Sequence, residues 1–242
     1  MTKIIAHRGA SKYAPENTLP AFELAYEMKA DGIETDVQLT RDNVPILIHD
    51  EQLKRTTDGT GWIKDYTYEE IKELDAGSWF SKEFYKSPIL TLEEFLQWAQ
   101  FKPIYLHIEL KNNKIEYKDI ENMVFEMVEH FQLLDRTTLS TFNPESVKRL
   151  KPKNTKIEVA LLTSKKSSNL ILEAKELGAN ALHVKYRLLN SSLSMQSRKQ
   201  NIPLRIYTVN SYRTIKKCID LKCDSIFTDV PDKAKLYNTI NN

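Results

Sequence analysis

The sequence predicts an α/β chain folded as a (β/α)8 TIM barrel with a small insertion after the second strand, and three observations carry that prediction. Short β-branched runs alternate with helical periodicities along nearly the whole chain, giving eight strand–helix pairs. The length of 242 residues matches the ~250 typical of that fold. The residues best suited to chemistry, His7, Glu34, Asp36 and Glu109, fall at the C-terminal ends of predicted strands, and His49 ends the extended segment after the second. Barrel enzymes place their catalytic groups on that face. An open doubly wound sheet is the competing arrangement, but no glycine-rich dinucleotide loop follows the first strand.

Ile4–His7 reads as a short buried strand, and Gly9 and Ser11 open a loop that runs to Pro15. Asn17 or Thr18 is placed to cap a helix over Leu19–Lys29, with Pro20 in its first turn and Phe22, Leu24, Ala25 and Met28 on its apolar face. Ile33–Leu39 is the second strand, Arg41-Asp42-Asn43 a turn, and Val44–His49 extended again. Residues 51–90 break the rhythm with Asp58-Gly59-Thr60-Gly61, several aromatics and one short helical pattern, Tyr68–Leu74. They read as an excursion within a single domain spanning 1–242, either part of a substrate mouth or a stabilising flap.

Regular alternation follows. Helices are expected over Thr91–Gln100, Tyr117–Leu133, Asn143–Leu150, Leu170–Leu177 (stopped by Gly178), Ser191–Gln200, Ser211–Leu221 and Pro231–Tyr237. Between them strands are expected over Ile104–Glu109, Thr137–Thr141, Ile157–Leu161, Ala181–Val184, Pro203–Val209 and Ser225–Thr228.

Composition narrows the class of function. Apolar residues at 41% and charged residues at 28% are those of a globular enzyme. With 35 basic and 33 acidic side chains, the net charge of +2 is too balanced to make nucleic acid the main partner. No run of 18 apolar residues occurs, so no membrane span is expected. The N-terminus lacks the apolar region of a secretory signal, which points to a cytoplasmic or already processed chain. Cys218 and Cys223 read as free structural thiols.

Glu34 and Asp36 sit two apart in an apolar strand, so both carboxylates project to one side. Two adjacent acids repel unless a cation or proton lies between them. A hard divalent metal, Mg²⁺ or Ca²⁺, suits carboxylate oxygens, and Glu109 would complete a three-carboxylate site open to water and substrate phosphate. Zinc is disfavoured because no close His pair has the usual spacing. His7 and His49 are the candidates for general acid and base, since an imidazole titrates near neutrality. Arg8 and Lys111 are the expected stabilisers of charge that grows on a phosphodiester. Asp50 is placed to orient either an imidazole or a loop. His107 should lie one layer beneath the metal as a hydrogen-bonding support. His130 reads as surface, His183 as structural with the pocket as its alternative since it ends a predicted strand, and Tyr207 as either a pocket or a core residue.

These residues occur in an order that resembles the glycerophosphodiester phosphodiesterase family. His7-Arg8-Gly9, Pro15-Glu16-Asn17-Thr18 and Ala21-Phe22 look like its opening signature. Ile33-Glu34-Thr35-Asp36-Val37, with Thr40 and Asp42, resembles its second-strand motif, and His49-Asp50 with Arg55-Thr56-Thr57-Asp58-Gly59 the segment after it. Ile108-Glu109-Leu110-Lys111, Thr208-Val209-Asn210 and Thr228-Asp229-Val230-Pro231-Asp232 resemble later strand ends. The resemblance implies hydrolysis of a small-molecule glycerophosphodiester to sn-glycerol 3-phosphate and an alcohol. It implies Glu34, Asp36 and Glu109 as ligands of one Mg²⁺ or Ca²⁺, His7 and His49 as the acid/base pair, and Arg8 and Lys111 as phosphate contacts. It also implies attack by the substrate's own glycerol hydroxyl, giving a cyclic phosphate that water opens.

Three positions depart from the family. Lys29-Ala30-Asp31 stands where Gly-Ala-Asp is usual, which argues against a left-handed cap. His107 replaces a frequent Asn, and Tyr207 a frequent Trp. Two other readings compete with the leading one. A lysophospholipase D would need an apolar entrance, built from Trp62, Trp79, Phe80, Phe84 and Tyr85. A non-catalytic barrel would bind phosphate ligands without turnover.

Overall fold

The structure, a computed structural model, describes residues 1–151 and 157–240. Its strands are β1 Lys3–His7, β2 Gly32–Leu39, β3 Pro45–Leu47, β4 Tyr105–Leu110, β5 Thr137–Thr141, β6 Glu158–Thr163, β7 Ala181–Lys185, β8 Leu204–Tyr207 and β9 Ser225–Thr228. Eight are parallel and run in the order β1-β9-β8-β7-β6-β5-β4-β2, with β1 also pairing β2 so that the sheet closes. The short β3 lies outside the ring, antiparallel on β2. Each barrel strand leads to a helix: α1 Leu19–Glu27, α3 Leu92–Ala99, α4 Ile120–His130, α5 Pro144–Leu150, α6 Leu170–Glu176, α7 Ser191–Gln200, α8 Tyr212–Asp220 and α9 Pro231–Ile240. The four-residue α2, Tyr68–Ile71, belongs to the excursion between β3 and α3. The barrel is the one predicted.

Strand alternation sorts the side chains. Ile4, Ala6, Ile33, Leu106, Ile108, Leu139, Leu182, Val184, Ile206 and Ile226 join the buried cluster shared with the helices. The alternate positions turn inward, and there His107, His183 and Phe227 pack against one another, with ring centroids 5.0–5.8 Å apart. Residues 51–90 gather a smaller apolar cluster of their own around Leu53, Ile63, Ile71 and Ile89.

Local chemistry trims several predicted elements. The helix expected over Tyr117–Leu133 begins at Ile120, because Asp119 is left-handed (φ 64°) and the buried Tyr117 hydroxyl donates to Gln38 Oε1 instead. It ends early because Gln132 is also left-handed (φ 58°) and the Leu133 amide turns back to Val128. The pattern over Tyr68–Leu74 yields a single turn behind a Thr67–Glu70 capping box. Of Val44–His49, only Pro45–Leu47 pairs as strand. Cys218 and Cys223 are free and buried, joined through a backbone bond from the Cys223 amide to the Cys218 carbonyl. No helix of the described residues is long and apolar enough to cross a membrane.

Candidate active site

A cavity of about 320 Å³ opens where the C-terminal strand ends meet. His7, Arg8, Glu34, His49, Glu109 and Lys111 all line it, so six of the seven residues singled out from sequence converge. The seventh, Asp36, is fully buried just behind them. Strand register explains the convergence: His7 pairs with Glu34 across β1–β2, and Asp36 with Glu109 across β2–β4. Oxygens of Glu34, Asp36 and Glu109 lie within 4.8 Å of one another.

The turn after β1 aims Arg8 at these acids. Arg8 (φ 57°) and Gly9 (φ 82°) are successive left-handed residues. A Cβ on Gly9 would stand 2.6 Å from the Ala21 backbone, so only glycine fits between this turn and α1. The Arg8 amide then donates to Glu34 Oε2 (3.0 Å), its Nη1 to Glu16 Oε1 (2.9 Å), and its Nε lies 3.1 Å from Asp36 Oδ2. Lys111 Nζ donates to Glu109 Oε1 (2.8 Å) and lies 3.6 Å from Asp36 Oδ1.

Each imidazole is fixed through Nδ1. His7 Nδ1 is 2.7 Å from Asp229 Oδ1, and His49 Nδ1 is 2.6 Å from Asp50 Oδ1. Asp50 therefore orients an imidazole. Its other oxygen accepts from Arg55 Nε (2.5 Å), and Arg55 also donates twice to Glu16. The pairing leaves Nε2 of both rings as the nitrogen open to the cavity.

Burial sets the electrostatics. It pushes the Glu34 carboxyl well above the usual carboxylate range, with Asp36 and Glu109 adding to the shift and Arg8 opposing it. It raises Glu109 too, with Asp36 adding and Lys111 opposing. Burial works the same way on Asp36, but Arg8, Lys111, His49 and the Asn17 amide outweigh it and hold that carboxyl below its ordinary value. His49 is lowered by burial and by Arg8 and Lys111, against the pull of Asp36 and Asp50.

The donor set fits a hard divalent cation. Asp36 Oδ1 is buried and has no hydrogen-bond partner among the described residues, and its two carboxylate neighbours are strained toward protonation. Glu34, Asp36 and Glu109 are the residues that could hold it.

Several partners were not legible as such. Asn17 does not cap α1. Its Oδ1 accepts from Thr35 Oγ1 (2.8 Å) and its Nδ2 donates to Asp36 Oδ2 (3.0 Å), while Thr18 takes the cap position and donates to the Pro15 carbonyl. Asp229, Glu16 and Arg55 occur in family-like stretches, but no local pattern marks what they hold. His107 is not a hydrogen-bonding support: its Nδ1 has no partner among the described residues, and its ring packs on His183 and Phe227. His183 is buried within β7, with Nε2 placed to accept from Arg205 Nη1 (3.3 Å), and it also lines the cavity floor. Tyr207 is a pocket residue. None of residues 51–90 lines this cavity; the excursion reaches the site through Arg55.

Residues 7–233 match the Glycerophosphoryl diester phosphodiesterase family. The chain is 42% identical over 238 residues to a glycerophosphodiester phosphodiesterase of Bacillus altitudinis, covering 97% of each. It is similar in structure to a glycerophosphodiester phosphodiesterase from Agrobacterium tumefaciens str. C58 (TM-score 0.85, 30% identity, 99% of this chain and 100% of that one). It also resembles a phosphodiesterase of Oleispira antarctica in complex with the product sn-glycerol-3-phosphate (TM-score 0.90, 29% identity, 98% of this chain and 96% of that one).

Proposed function

Because the chain belongs to the glycerophosphoryl diester phosphodiesterase family, we propose that it cleaves a glycerophosphodiester to sn-glycerol 3-phosphate and an alcohol in the cavity just described. Glu34, Asp36 and Glu109 would hold one Mg²⁺ or Ca²⁺ there. Bound at those carboxylates, such an ion supplies charge stabilisation at the phosphoryl oxygens. The rest of the chemistry belongs to side chains. His7 and His49 divide the proton transfers at Nε2: one takes the proton of the attacking hydroxyl, and the other protonates the departing alcohol oxygen. Asp229 and Asp50 keep each ring in the tautomer and orientation those transfers need. Arg8 and Lys111 place fixed positive charge where the phosphoryl group gains negative charge. By family resemblance, the attacking hydroxyl is the substrate's own glycerol hydroxyl; its attack expels the alcohol and leaves a cyclic glycerol phosphate, which water then opens to sn-glycerol 3-phosphate with the two imidazoles exchanging roles.

One observation carries this reading: two buried carboxylates, Glu34 and Glu109, line a cavity with two imidazoles that are each held by a carboxylate, and a third, Asp36, lies within 4.8 Å of them just behind the wall, with one oxygen that has no hydrogen-bond partner among the described residues. A lysophospholipid substrate fits less well. Trp62, Trp79, Phe80, Phe84 and Tyr85 do not line the cavity, and Trp79, Phe80 and Phe84 instead pack edge-on among themselves. The test is product identity with glycerophosphoglycerol as substrate and metal supplied. sn-Glycerol 3-phosphate is expected, and a folded, metal-loaded protein that releases none overturns the proposal.

A further inference from the structure

The alcohol is the variable half of a glycerophosphodiester, so it must occupy the open part of the cavity. Around the ring, β7 stands four strands from β2 in either direction, which sets it against the wall that carries Glu34 and Asp36. Lys185 ends β7, is exposed, and lines the cavity beside its register partner Tyr207. Among the described residues, its ammonium has no ion-pair or hydrogen-bond partner. The site's other cations are engaged: Arg8 with Asp36 and Glu16, Lys111 with Glu109, and Arg55 with Glu16 and Asp50.

The strand ends beside Lys185 are tied together. The Tyr207 hydroxyl donates to the Thr163 carbonyl (2.9 Å), and Arg187 Nη2 donates to the Ser164 carbonyl (2.8 Å). These bonds fix the start of the loop that carries the exposed Lys165 and Lys166. Among the described residues lining the cavity, the carboxylates are Glu34 and Glu109, four and three strands from β7 around the ring. Among the described residues lining the cavity, none on β7 or β8 beside Lys185 offers a counter-charge to a choline or ethanolamine ammonium. Phe142 meets Tyr207 edge-on at 6.1 Å, and aromatic faces attract quaternary ammonium groups. Lys185 next to that pair sets a like charge against such a ligand.

We propose that Lys185 determines alcohol specificity, so that the enzyme prefers glycerophosphodiesters whose alcohol bears a further phosphate or carboxylate over those with a cationic head group. The inference rests on the reading of this cavity as a glycerophosphodiester site.

Three substrates test it: bis(glycerophospho)glycerol, whose alcohol carries a second phosphate; glycerophosphoglycerol, whose alcohol is neutral; and glycerophosphocholine. The expected kcat/KM order is the order given, with about tenfold between first and last, expressed mainly in KM. The preference should shrink as salt is raised. Lys185→Gln should bring the anionic-to-neutral ratio near one, and Lys185→Glu should reverse the anionic-to-cationic ratio. Equal rates on all three, a preference for glycerophosphocholine, or a ratio unmoved by Lys185→Gln would overturn the assignment while leaving the reaction intact. Failure of all three to release sn-glycerol 3-phosphate with metal would instead remove the underlying reading, and the inference with it.

Discussion

At the scale of single residues, the candidate site is a set of charges that cannot stand alone. Asp36 Oδ2 accepts from Asn17 Nδ2 and is ion-paired with Arg8, while Oδ1 has no hydrogen-bond partner among the described residues. Removing one carboxylate should therefore act on metal binding before it acts on the fold. Glu109→Gln is expected to weaken Mg²⁺ or Ca²⁺ affinity by about tenfold or more, read by calorimetric titration; an unchanged isotherm would exclude Glu109 as a ligand. His49→Ala should cut turnover by about a hundredfold or more while leaving that isotherm in place; near-normal rates would take His49 out of the chemistry. The acids and imidazoles were legible because their signal is local: two acids spaced for one strand face, and His residues at strand ends. Their holders were not. His7 and Asp229 are 222 positions apart, and only barrel closure brings them together. Asn17 and Thr18 are equally placed to cap α1 by residue type; Thr18 takes the cap position, and Asn17 serves Asp36 and Thr35 instead.

At the scale of elements, the barrel was legible nearly strand by strand, since period-two burial and helix stop signals are written into short windows. The errors sit where tertiary contacts override propensity. Lys29 is the clearest case: the lack of glycine there argues against a left-handed cap, yet Lys29 adopts φ 59° and the Ala30 amide closes back on Ala25. The next residue explains it. Asp31 accepts from the Ile4 amide (2.7 Å) and from Lys235 Nζ (2.8 Å), and so fixes the turn whatever stands at 29. The strain of a non-glycine left-handed residue remains, at about 1 kcal/mol. Lys29→Gly should relieve part of it and raise the melting temperature by about 1–3 °C in calorimetry. A lower melting temperature would mean that the lysine side chain earns its place by contacts.

At the scale of the whole molecule, the barrel encloses titratable groups that resist charging. Burial, then Arg205, holds both His107 and His183 well below the usual imidazole range. Their unfolded forms bind protons first as pH falls, so the stability they provide is complete above about pH 6.5 and is lost below it. Urea unfolding at pH 7.5 and 5.5 should show that loss, and His107→Asn should make it shallower; identical slopes would place the acid sensitivity elsewhere. The same enclosure brings three buried carboxylates within 4.8 Å of one another, two lining the cavity and one just behind it, and the central claim is that they serve a metal. The measurement is release of sn-glycerol 3-phosphate from glycerophosphoglycerol after chelation, and again with Mg²⁺ or Ca²⁺ restored. Product only when metal is restored is the predicted result; product that persists through thorough chelation would contradict it.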